Sequence, residues 1–165
     1  MELITWDERF LLGIPSLDNE HHILADLINA LATEIIDAEF NIPYSQLAHR
    51  FNVLHDSMKA HFEHEEEMME SQGFPDLAEH HREHVMLLAE LKSFFSHVES
   101  GQEQIDAALL ESLKTGFIVH TMVNDRQYAA VLRDAGTARP QEGSPRSPLS
   151  PFPGTGQTTP VTLSR

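Results

Sequence analysis

Five histidines and two carboxylates of this 165-residue chain sit at mirror-image distances from its three strongest turn signals. His61 and Glu65 precede Gly73-Phe74-Pro75 by about as much as His80 and His84 follow it. His84 and His120 are equally far from Gln102, beside the Ser100-Gly101 break, and His21 and His61 are equally far from Asn41, beside Asn41-Ile42-Pro43. If the intervening segments are antiparallel helices, His21, His61, Glu65, His80, His84, His120 and Asp125 meet in one layer. Unpaired, each such buried group would cost several kcal/mol. A fold stable by roughly 5–15 kcal/mol could not carry seven of them. Coordination removes the conflict, because neutral imidazole nitrogen and carboxylate oxygen are good donors to borderline divalent and trivalent metals. Four such residues satisfy one tetrahedral ion. Seven are too many for one ion and suit a dinuclear site.

The elements that must position these groups are legible as apolar seams with alternating three- and four-residue steps. The first runs Leu17, His21, Leu24, Ile28, Leu31, Ile35, with Ser16 or Asp18 placed to cap it. The second, with Ser45 as its cap, runs Leu47, Phe51, Leu54, Met58, His61, Glu65, Met68 and is stopped by glycine then proline. The third runs Leu77, His80, His84, Leu87, Leu91, Phe94, Val98, and the fourth Leu109, Leu113, Phe117, His120, Asn124, Tyr128, Val131. Six of the seven candidate donors stand where these seams call for leucine. Asp125 is one residue off its seam, and a five-residue step from His120 is close enough to the helical repeat to reach the same axis. Four amphipathic helices with short links predict an all-α, up-down-up-down four-helix bundle with an N-terminal arm bearing Trp6 and Phe10.

Residues 1–136 read as that one bundle. Residues 137–165 hold six of the nine prolines among Ser, Thr and Gly, and are expected to be a disordered tail whose partner, if any, the sequence does not name. Net charge −15 argues against nucleic acid, which demands a basic surface, and against anionic membranes. No apolar run approaches the ~18 residues of a membrane span. Met1–Phe10 lacks a basic start followed by an apolar stretch, so a cytoplasmic location is expected. The absence of cysteine excludes disulfides, thiolate ligands and thiol catalysis.

Of the eleven histidines, His22 and His81 adjoin donors and should point about a quarter-turn away, toward neighbouring helices or water. His49, His64 and His97 read as surface residues. His55 is open: it could face inward two turns above His61, either supporting the donors or as a core group. Met58, Met68, Met69, Met86 and Met122 read as core filler, some of them lining an apolar pocket near the metals.

Over about residues 4–132 the chain resembles the bacterial single-domain hemerythrins. The resemblance rests on Trp6, Phe10 and Gly13-Ile14 in the arm, on Asp18-Asn19-Glu20-His21 and on His61-Phe62-Glu63-His64-Glu65-Glu66. It continues through Met69, Gly73-Phe74-Pro75, His80 with His84, and His120 through Asp125 to Tyr128. It implies a non-haem centre of two iron ions, with His80, His84 and His120 on one iron, His21 and His61 on the other, and Glu65 and Asp125 bridging beside an oxo group. At about six positions per ion, that set leaves one position open on the two-histidine iron, where the family binds dioxygen reversibly. The implied function is oxygen carriage, storage, delivery or sensing rather than catalysis. The rival is a di-iron oxidoreductase acting on peroxide or nitric oxide, and a zinc or iron-storage protein is a third reading. Two positions depart from the family pattern. Gly116 stands where Trp is common, four residues before His120, and Thr121 where Ile is usual. Gly116 is expected to leave space, and with it a route toward the open iron position.

Overall fold

The computed structural model describes residues 2–101 and 105–134. The expected disordered tail, residues 137–165, lies outside them. Among the described residues there are helices and no strands, in the order α1 (Pro15–Asp37), α2 (Tyr44–Ser71), α3 (Leu77–Glu99), α4 (Ala107–Val119), a π-helical segment (His120–Asn124) and α5 (Asp125–Asp134). The last three follow without a break and form the fourth rod of an up-down-up-down bundle.

All six residues of the first seam are buried along α1. Fully burying a leucine or isoleucine is worth about 1.5–3 kcal/mol, so this stripe alone fixes which face of α1 turns inward. The helix starts differently from expectation. Pro15 occupies its first turn and no side chain caps it. Proline already holds the helical φ there and has no N–H to satisfy. The Asp18 carboxylate instead accepts from the backbone N–H of Leu12 (2.6 Å) and Gly13 (3.2 Å), tying down the arm. Nor is Ser45 the cap of α2, which begins one residue earlier, after Pro43, without a side-chain cap.

Gly73, at φ +64°, reverses the chain between α2 and α3, and the Phe74 N–H closes the turn on the Met69 carbonyl at 3.0 Å. A left-handed residue just past a helix end is glycine's natural position. Asp106 caps α4 by accepting from the Leu109 N–H at 3.0 Å. Two seam positions are shifted by one residue: Met69 rather than Met68 is fully buried, and Phe95 lies deeper than Phe94. Val131, expected on the fourth seam, is 40% exposed.

Two separate apolar cores result. The larger includes Leu24, Ile28, Leu54, Phe51, Leu91 and Phe95, and the smaller includes Leu12, Leu17, Met69, Phe74 and Tyr128. On every rod the candidate donors stand between the two: His21 between Leu17 and Leu24, His61 and Glu65 between Leu54 and Met69. A polar layer therefore crosses the bundle with apolar packing above and below it. The arm closes one side. Ile4 exchanges two 2.8 Å hydrogen bonds with the Asn29 side chain, and Trp6 stacks on Phe10 and on His22.

Candidate metal centre

The π-helical segment decides how the fourth rod contributes. In an α-helix a five-residue step overshoots one turn by about 140°, which would carry Asp125 away from the face of His120. Here the Asp125 N–H donates to the His120 carbonyl, five residues back. The widened turn brings both side chains inward, with His120 Nε2 3.3 Å from Asp125 Oδ1. Single π turns of this kind recur at functional sites. The Asn124 amide, beside them, donates to Glu83 on α3 at 2.5 Å.

All seven sequence-predicted residues are buried, and they fall into two groups whose donor atoms lie within 4.8 Å of one another. One group is Glu65, His80, His84, His120 and Asp125, and the other is His21, His61, Glu65 and Asp125. Glu65 and Asp125 belong to both. His21 and His61 bring their Nε2 atoms to 3.0 Å, and His84 and His120 theirs to 3.2 Å. Neighbouring donors about 2.1 Å from one octahedral ion stand about 3.0 Å apart, so these spacings suit shared coordination. Glu65 Oε2 lies 3.4 Å from His84 Nε2, 3.5 Å from His80 Nε2 and 3.7 Å from His61 Nε2. These are ion-pair distances, too long for good hydrogen bonds. Both oxygens of Glu65, both of Asp125 and Nε2 of His80 are buried without a hydrogen-bond partner. Leaving such groups unmade costs roughly 1–3 kcal/mol each, more for charged ones. A donor set of orphaned, converging imidazoles and carboxylates fits a cation.

The electrostatics agree. Burial alone would raise Glu65, but the approach of His80 and His84, with His61 and His120 nearby, holds it well below the usual carboxylate range. Asp125 moves the other way, pushed well up by burial and by the charge of Glu65. Burial depresses His21 and His120, keeping them in the neutral form that can coordinate. For His80, proximity to Glu65 outweighs burial and the imidazole is raised.

Two residues essential to this arrangement were not anticipated from the sequence. Glu20 accepts from His61 Nδ1 and His64 Nδ1, both at 2.8 Å. Glu66 accepts from His84 Nδ1 at 2.7 Å and His81 Nδ1 at 2.9 Å. A proton held at Nδ1 leaves Nε2 with its lone pair facing the centre. His64, expected at the surface, is thus half-buried and paired, and His97 is also half-buried. His22 turns away as expected, onto Trp6. His55 is half-buried beside Asp56 and belongs to neither donor group. The available signal was a carboxylate next to a donor on one helix and two histidines three residues apart on the next. The Tyr128 hydroxyl is also buried without a partner, its pKa raised by burial and by Glu65.

A cavity of about 630 Å³ reaches the layer from the side, with His21, His61 and His120 at its inner end. Gly116 lines it as expected, and a Cβ built there would meet only Leu87 Cδ2, at 3.9 Å. No described helix is long and apolar enough to cross a membrane.

Residues 12–132 match the family model described as the Hemerythrin HHE cation binding domain. The chain is 27% identical over 128 residues to a bacteriohemerythrin of Clostridium acetobutylicum, covering 76% of this chain and 98% of that one. It is 26% identical over 129 residues to a bacteriohemerythrin of Stenotrophomonas maltophilia, covering 78% and 81%. A crystal structure of a wild-type hemerythrin superposes with a TM-score of 0.70 at 21% identity, covering 79% of this chain and 98% of that one. At that identity the superposition speaks for the fold alone.

Proposed function

The chain belongs to the hemerythrin family, and on that premise we propose that its bundle binds dioxygen reversibly at a non-haem di-iron centre, for carriage, storage, delivery or sensing. The observation that carries this reading is the pair of donor groups sharing Glu65 and Asp125. In the proposal His80, His84 and His120 would hold one iron and His21 and His61 the other, with Glu65 and Asp125 available to both. Bound there, a ferrous pair would supply the electrons that dioxygen takes up on binding and gives back on release.

The chain's own contribution is positional and dielectric. Glu20 and Glu66 fix the tautomers of His61 and His84. Phe62 lies flat on the His84 ring, centroids 3.9 Å apart, and Phe117 sets its edge to His21 at 6.3 Å. These rings hold the imidazole planes. The two apolar cores above and below the layer lower its dielectric, which strengthens every charge interaction within it. Residues 1–136 are proposed as the oxygen-binding unit and 137–165 as a tail outside it. A cytoplasmic location is part of the same proposal, testable by cell fractionation.

Anaerobic reduction, then air exposure, with metal analysis and visible spectra, tests the reading. The expected result is two irons per chain and an absorption band that appears with air and vanishes on deoxygenation. Zinc in the purified chain overturns it. So does steady consumption of peroxide or nitric oxide without a reversible band, which assigns the site to an oxidoreductase.

A further inference from the structure

The cavity beside the centre is far larger than dioxygen requires. Its volume of about 630 Å³ lies within the ~300–1,000 Å³ range of organic-ligand pockets. Its outer end is formed by the exposed residues Glu90, Asp106, Ala108 and Ser112, and its walls by aliphatic and aromatic side chains such as Leu54, Met58, Leu91 and Phe94. Gly116 recesses one wall, where a Cβ would meet only Leu87 Cδ2 at 3.9 Å. Among the described residues no Lys or Arg lines the cavity, and Glu90 and Asp106 flank the mouth. An anionic head would find no counter-charge there.

We infer that this cavity is a binding site for an elongated, uncharged, largely apolar molecule, whose body lies along the apolar walls past Gly116 to the mouth. Such an occupant fills the space between solvent and the inner histidines, and so controls what else reaches them. The inference goes beyond the dioxygen reading and is read out without gas exposure, so the two fail separately.

The test uses the full-length, metal-loaded chain and the neutral fluorophore Nile red. One dye per chain is expected to bind, with displacement by dodecan-1-ol at a concentration at least tenfold lower than by dodecanoate. Gly116→Trp, which fills the passage, should weaken dye binding at least tenfold, and Gly116→Leu should weaken it less. Circular dichroism confirms that each variant is helical. Dye binding indifferent to both Gly116 variants overturns the inference by placing the dye on the exposed Val85, Met86, Val119 and Val123. Equal displacement by dodecanoate, or none by dodecan-1-ol, overturns it whether or not the variants fold.

Discussion

Glu20 and Glu66 are structural counterparts: each carboxylate receives one histidine of the polar layer and a second, outer histidine three residues away on the same helix. Both carboxyls are held below their ordinary range, because the bonds from His61 and His64, or from His84 and His81, outweigh partial burial. Each donor group of the layer thus contains one imidazole braced in the coordinating tautomer. Truncating such a partner commonly costs 10–100-fold in metal affinity. Glu20→Ala and Glu66→Ala are each expected to lose metal to a competing chelator at roughly 10–100-fold lower chelator concentration. Glu34→Ala, which removes a carboxylate paired with Arg50, serves as control. Retention equal to the parent chain in both variants would refute the brace.

Gly116 bears on how long bound oxygen survives. An indole at this position would occupy the passage between the mouth and His120, and the single near neighbour of its Cβ is the flexible end of Leu87. Replacing a helical glycine by tryptophan also gains about 0.5 kcal/mol of helix propensity. Gly116→Trp is therefore expected to fold at least as stably as the parent and to slow decay of the oxygenated form several-fold, followed by visible absorption in air. An unchanged lifetime would show that solvent and oxidants reach the centre by another path.

The seams and the mirror spacing of the donors were legible because helical period and turn chemistry are local properties. Leu17 through Ile35 could be assigned to one face before any distance was known. What the sequence concealed depends on how one helix faces another. Glu20 lies beside His21 in the chain, yet it serves His61 and His64 across the α1–α2 interface. Glu66 lies beside Glu65 and serves α3. Helix caps were misread because Pro15 and Pro43 set the chain's entry by fixed φ rather than by a side-chain oxygen. The cavity was suggested by the missing indole at Gly116, but its extent follows from how α3 and α4 approach, which no local pattern encodes. In the sequence the five-residue step from His120 to Asp125 looks like a loose helical repeat, and in the structure it is a widened turn.

That turn makes a register prediction. Deleting Val123, which is 50% exposed, leaves a four-residue step from His120 to the aspartate, an ordinary α-helical turn on the same face. Inserting alanine after Val123 makes six residues and swings the carboxylate about a further 100° away. The deletion should keep most of the metal bound per chain, and the insertion should lose at least half. Metal analysis of the two purified variants decides it. Equal metal content in both would mean that Asp125 is not held in place by this turn.

Acid sensitivity of the metal-free chain follows from the buried imidazoles. Burial holds His21 below and His120 well below the ordinary value of 6.5, so both bind protons more tightly in the unfolded chain. A group depressed in the folded state contributes stability that is complete above its unfolded value and lost as pH falls through the folded one. His80 opposes this. Its raised value contributes stability present below 6.5 and lost as pH rises. Asp125 opposes it as well, its raised carboxyl contributing stability present below its unfolded value and lost as pH rises through its folded one. The depressed imidazoles are therefore read by difference: from about pH 7 to about pH 5 the unfolding free energy in urea should fall more for the metal-free parent than for His120→Asn. The loaded chain should fall more steeply, because protons then also compete with metal for the imidazoles. His120→Asn removes the more strongly depressed group and should flatten the metal-free profile. If the parent and His120→Asn give the same profile across that interval, His120 is not shielded from water as the structure places it.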